Sequence, residues 1–118
     1  MGTVLIVDDN APFRAVARAV LEGGGYRVVG EAGTGREGIE AAVLLRPDVV
    51  LLDIGLPDLD GFAVCRELTA SVPSVVVVLC SVREYDDVGT RCGAAGFLAK
   101  SRLSAEALRE IVAQVERR

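Results

Sequence analysis

The chain has 118 residues, of which 51% are hydrophobic, 25% charged and 4% aromatic, and 13 Lys and Arg against 17 Asp and Glu leave a net charge of -4. That length suits one domain with its own core rather than two, and the acidic balance argues against direct electrostatic binding to nucleic acid or to an anionic membrane surface. The chain contains no histidine, which excludes a histidine-based triad, a His-ligated zinc site and imidazole acid–base chemistry.

Met1-Gly2-Thr3 has no basic leader, and Ile6 stands where a myristoylation signal would need Ser or Thr, so no targeting segment is expected. Val4 to Val7 then forms a continuous apolar run that ends in Asp8-Asp9. Pro12 suits a first helical turn, and Phe13, Val16, Ala17, Val20 and Leu21 keep the spacing of an amphipathic helix that Gly23-Gly24-Gly25 stops. Val28-Val29 marks a second strand, and Ile39, Ala42 and Val43 mark a second helix. Val49 to Leu52, after Pro47, is a third strand ending in Asp53, and Phe62, Cys65, Leu68 and Thr69 share one helical face. Val75 to Cys80, after Pro73, is a fourth strand ending in Ser81; it is the longest apolar run, far short of the ~20 residues that cross a bilayer. A cytoplasmic protein without membrane contact is expected.

A short helix near Asp86 to Cys92, a weak fifth strand from Gly96 to Ala99 ending in Lys100, and a last helix follow. In that helix Leu108, Ile111, Val112 and Val115 form the stripe, with Ser104 as cap and Glu106 in the first turn. Cys65, Cys80 and Cys92, odd in number and too far apart for a CxxC pair, read as reduced thiols. Val-rich continuous runs are strands covered on both faces. Five repeats of strand then helix predict an α/β fold with an open, doubly wound parallel sheet, whose ligands bind beyond the carboxyl ends of the strands.

Those ends are where the polar residues fall: Asp8 and Asp9, Asp53, Ser81 and Lys100. With the first and third strands adjacent, at ~4.8 Å spacing, the carboxylates lie within about 5 Å of one another. Each such pair repels by roughly 3 kcal/mol at an effective dielectric near 20. A proton, Lys100 or a divalent cation must offset that repulsion, and all-oxygen ligands favour Mg²⁺. Asp58, Asp60, Asp86 and Asp87, by contrast, read as turn or helix-start residues.

In these residues the chain resembles the receiver domain of bacterial two-component response regulators. The resemblance runs from Val4 to about Val115, and rests on Val7-Asp8-Asp9, on Leu52-Asp53-Ile54-Gly55-Leu56-Pro57-Asp58-Leu59-Asp60-Gly61, on Ser81, and on Gly93 to Lys100. It implies one receiver domain over residues 1–118, of (βα)5 type with the flavodoxin-like strand order 2-1-3-4-5. Asp53 would be the phosphoacceptor and Lys100 the partner of the phosphoryl oxygens. Ser81 would donate a hydrogen bond to one of those oxygens, and Phe97 would be the aromatic switch that follows Ser81. Asp9, Asp53 and the backbone carbonyl of Gly55 would ligate Mg²⁺, with Asp8 helping through water and Mn²⁺ able to substitute. The phosphodonor would be a phosphohistidine on a sensor histidine kinase or histidine phosphotransfer protein, since this chain has no histidine of its own.

The output expected from the resemblance is a conformational change of the face made by the fourth helix, fifth strand and fifth helix, Asp86 to Val115, with no substrate turnover. The style of Arg46-Pro47-Asp48 and of Gly93 to Ser101 is closest to LuxR/FixJ-class transcription regulators, so DNA would be reached only through an effector domain beyond Arg118. A phosphorylation-dependent homodimer is a further expectation. Two positions depart from the commonest pattern. Gly55 has no side chain to shield an acyl phosphate, and Arg83, two residues after Ser81, is long and cationic. Phe97 lacks a hydroxyl, so its switch would be steric.

Three alternatives stand beside this reading. Gly33-Thr34-Gly35-Arg36-Glu37-Gly38 matches a dinucleotide-binding pattern, but it follows the second strand rather than the first. An aspartyl-phosphate hydrolase would want an aspartate where Gly55 stands. A receiver-shaped interaction module that is never phosphorylated would not need the full set of Asp8, Asp9, Asp53, Ser81 and Lys100.

Overall fold

The computed structural model describes residues 2–82 and 92–116. Five strands, β1 (Thr3–Val7), β2 (Arg27–Ala32), β3 (Val49–Asp53), β4 (Val76–Ser81) and β5 (Gly96–Ala99), form one sheet in the order β2-β1-β3-β4-β5, every neighbouring pair parallel. This is the expected order. Among the described residues the helices are α1 (Ala11–Gly23), α2 (Gly35–Leu45), α3 (Gly61–Ser71) and α4 (Ala105–Glu116), with a short 3₁₀ turn over Lys100–Arg102. The helix expected near 86–92 falls, apart from Cys92, outside the described residues, as do Arg83, Asp86 and Asp87.

The continuous apolar runs are the inner strands. β3 is buried at every residue and β1 and β4 at all but their first, whereas the edge strands β2 and β5 keep partly open positions. Because side chains alternate across a strand, each inner strand feeds two cores. Leu5 and Val7, Val50 and Leu52, and Val77 and Leu79 meet Val64, Cys65 and Leu68 of α3 and Ala42 of α2 on one face. Val4 and Ile6, Val49 and Leu51, and Val78 and Cys80 meet Ala17 and Leu21 of α1 and Leu108 of α4 on the other. Leu5, Leu52, Leu79 and Leu108 are fully enclosed, and truncating such a residue to Ala costs about 2–5 kcal/mol in similar cores. The three cysteines are buried and none is in a disulfide. Burial pushes the Cys80 thiol up to about 12 and raises Cys65 as well, so both are protonated and chemically quiet at neutral pH.

Each helix starts on a polar cap in the loop after a strand. Asn10 Oδ1 accepts from Phe13 N at 2.9 Å, Thr34 Oγ1 from Glu37 N at 3.1 Å, Asp60 Oδ1 from Phe62 N at 3.0 Å and Ser104 Oγ from Ala107 N at 3.0 Å. Each cap satisfies one orphan N–H and contributes about 1 kcal/mol. In a parallel sheet the loops after the strands all lie at one edge, so the caps gather beside the strands' carboxyl ends.

Candidate functional site

Asp8 follows β1 directly, Asp53 and Ser81 end β3 and β4, and Lys100 is the first residue after β5. Asp8, Asp9 and Asp53 each offer a carboxylate oxygen within 4.8 Å of the others. Asp8 and Asp53 are buried and Asp9 is exposed. Lys100 Nζ stands 2.7 Å from Asp8 Oδ2 and 3.8 Å from Asp53 Oδ2, and also 4.5 Å from the centroid of the Phe13 ring. Ser81 is buried and pairs in register with Ala99 of β5. Phe97 is opposite Leu79 and packs, partly buried, against the core on the α2–α3 face.

Burial raises the Asp53 carboxyl above its ordinary value of 3.8, and the charges of Asp8 and Asp9 add to this, while Lys100 and the Gly55 N–H at 3.3 Å pull it back. Burial alone would lower Lys100, but its contact with Asp8 and the charge of Asp53 outweigh that and hold it above 10.5. Asp8 Oδ1 accepts from Asn10 N at 2.9 Å. Asp8 Oδ2 is buried, with the Lys100 ammonium 2.7 Å away as its counter-ion. Among the described residues, three carboxylates against one ammonium leave excess negative charge. An all-oxygen set of this kind fits a hard divalent cation.

The loop from β3 to α3 carries the rest of the site. A Cβ on Gly61 would lie 2.6 Å from Ile54 Cα and 2.9 Å from the carbonyl oxygens of Asp53 and Ile54, so only glycine lets α3 start this close to the end of β3. A Cβ on Gly55 would meet none of the described residues within 4 Å. Asp60 is the α3 cap, as expected. Asp58 does more than close a turn: its two carboxylate oxygens accept from Gly35 N at 2.7 Å and Arg36 N at 3.1 Å, at the start of α2. Those N–H groups, Gly35 foremost, hold it below the ordinary carboxylate value. Nothing local to Asp58 announces a partner more than twenty positions earlier in the chain.

The glycines of the Gly33 to Gly38 motif serve packing. A Cβ on Gly35 would come 2.8 Å from Val64 Cγ2 and one on Gly38 2.8 Å from Val7 Cγ1, and the motif follows the edge strand β2. The nucleotide-binding alternative has no support in that geometry. A cavity of about 630 Å³ lies near the opposite ends of the strands, against Tyr26, Val49, Val76, Arg109 and Val112. None of the acidic cluster lines it.

The family profile described as the response regulator receiver domain matches residues 4–113. The response regulator GacA of Pseudomonas viridiflava is 38% identical over 112 residues, covering 92% of this chain and 52% of that protein. The chemotaxis protein CheY of Thermotoga maritima is 34% identical over 100 residues, 82% of this chain and 83% of CheY. Among solved structures, the signal receiver domain of the putative response regulator NarL from Mycobacterium tuberculosis superposes with a TM-score of 0.86 at 30% identity, covering 99% of this chain and 98% of that one. The chain thus spans about half the length of the GacA protein it matches.

Proposed function

The chain belongs to the response regulator receiver domain family, a signalling domain of two-component systems, and from that premise we propose that Asp53 is its phosphoacceptor. The observation that carries the reading is the juxtaposition of Asp53 and Asp8 with Lys100 Nζ, at 3.8 and 2.7 Å, inside a cluster of three carboxylates. An Asp53 carboxylate oxygen attacks phosphorus in line. The new P–O bond forms as the P–N bond of a phosphohistidine breaks, and the electron pair stays on the departing imidazole nitrogen, which takes up a proton. The imidazole belongs to a histidine kinase or phosphotransfer partner, because this chain has no histidine. Lys100 neutralises charge on the transferred group and Ser81 donates to one of its oxygens, both preorganised at the strand ends.

Asp8, Asp9, Asp53 and the Gly55 carbonyl are the groups that would hold Mg²⁺ or Mn²⁺, and the ion would supply neutralisation of the negative charge at the site. Residues 1–118 act as one receiver unit in this reading. Phe97 repacks sterically when Ser81 shifts toward the phosphoryl group, and carries the change to the face of β5 and α4. Control of transcription would run through a DNA-binding segment outside these residues, in keeping with the greater length of GacA. No helix among the described residues is long and apolar enough to cross a membrane.

Incubation with Mg²⁺ and acetyl phosphate, followed by intact-mass measurement, tests the assignment. One phosphoryl adduct is expected on the wild type and none on Asp53→Asn. A wild type that stays unlabelled, or an adduct that survives the substitution, would instead favour an interaction module that is never phosphorylated. The space that the described residues leave at Gly55 supports a second expectation, that water reaches the acyl phosphate there unless Arg83 covers it. Gly55→Met should lengthen the adduct's half-life after donor removal by about threefold, roughly 0.7 kcal/mol of barrier. A decay as fast as that of the wild type counts against it.

A further inference from the structure

We propose that Phe13 is a positioning residue for Lys100, its ring face holding the ammonium at the Asp8–Asp53 end of the sheet and screening it from water. The inference rests on the phosphoacceptor reading above, and adds a residue that the helical stripe of α1 marks only as core. The Lys100 side chain is 14% exposed. Its ammonium has carboxylates at 2.7 and 3.8 Å and an aromatic centroid at 4.5 Å. That distance is well inside the ~6 Å range in which a cation is attracted to the negative face of a ring.

Phe13 is itself held in place. Its N–H donates to the Asn10 cap at 2.9 Å, and its ring packs, partly buried, against the core shared by α1 and α4. A lysine has four rotatable bonds and a high cost of ordering. Without the ring, the ammonium could swing toward solvent, or settle on Asp8 alone and leave Asp53 unattended. The aromatic face removes the first choice, because the space a solvating water would take is filled by a π surface. Leucine at this position would keep the apolar packing and lose the π face, which separates the two roles.

Lys100 is the only lysine in the chain, so ¹³C-lysine labelling gives a single ε-methylene signal. In the wild type that signal should be moved upfield by the ring current of Phe13. It should return to an ordinary position in Phe13→Leu and remain upfield in Phe13→Tyr. Phosphoryl uptake is then followed with Mg²⁺ and acetyl phosphate, in which the donor's P–O bond breaks, a P–O bond to Asp53 forms and acetate leaves. The rate should fall about fivefold in Phe13→Leu and recover in Phe13→Tyr.

An unshifted signal in the wild type overturns the proposal without recourse to any variant. So does a Phe13→Leu protein that labels at the wild-type rate, or a Phe13→Tyr protein that falls as far as Phe13→Leu. A wild type with the shifted signal but no phosphoryl uptake overturns the phosphoacceptor reading, and the proposal with it.

Discussion

Replacing Lys100 with methionine is expected to cost about 2 kcal/mol of folding stability at neutral pH in metal-free buffer, because a buried charge site that loses one partner keeps the desolvation cost of the other. Asp8 and Asp53 are both buried around that ammonium. The melting temperature should fall by about 8 °C for a domain of this size. The pH dependence follows from the signs. Asp53 has a folded value raised above 3.8, so the stability tied to its neutral form is full below 3.8 and is lost as pH rises through the folded value. Taking away Lys100, one of the two groups that pull Asp53 down, deepens that loss.

Lys100 itself is held above 10.5, so its contribution is full below 10.5 and disappears as pH rises through its folded value. Wild type and Lys100→Met should therefore converge in strong alkali, and the gap should also narrow as pH falls through the folded value of Asp53, where one of the ammonium's partners becomes neutral. Urea titrations across that range check this, and saturating Mg²⁺ at pH 7 should narrow the gap by binding to the folded carboxylates. A gap that is equally wide at pH 3 would mean that the lysine stem, rather than its charge, carries the effect.

Gly61→Ala is expected to cost about 2 kcal/mol and to slow phosphoryl uptake in the same step. The added methyl would be driven against the backbone of Asp53 and Ile54, which cannot move aside as a flexible side chain would, and overpacking of this kind costs about 1–3 kcal/mol. The only relief is a shift of the β3–α3 loop, and that loop carries both Asp53 and Gly55. Gly55→Ala is the matched control: its Cβ meets none of the described residues within 4 Å and stability should change by no more than about 0.5 kcal/mol. If Gly61→Ala unfolds at the wild-type urea midpoint, the close approach of α3 does not constrain the site.

The strands and the polar residues at their ends were legible because both are periodic or terminal features of single segments, whereas the order of the strands in the sheet came from the family resemblance. An apolar Val-rich run betrays burial on two faces, and an aspartate or lysine at its end is visible without knowing what lies beside it. Roles that depend on a second segment were hidden. Asp58 looked like a turn residue because its partners, Gly35 and Arg36, start a different helix. Phe13 fitted the apolar stripe of α1, and only the fold brings Lys100 over its ring. Gly61 could be read as a loop glycine, but its reason is the backbone of Ile54 beneath it.

The interior position of β1, between β2 and β3, carries a consequence for the order in which the site is completed. During synthesis the chain emerges from its amino end, so β1, β2 and β3 are available to pair while β5 has yet to be made. The ends of β1 and β3 carry Asp8, Asp9 and Asp53, and the ammonium that faces them is encoded only after the final strand. A domain of this size folds as a unit, so the carboxylates meet their ammonium only when β5 docks beside β4, and the last strand completes the charge of the site as well as the sheet.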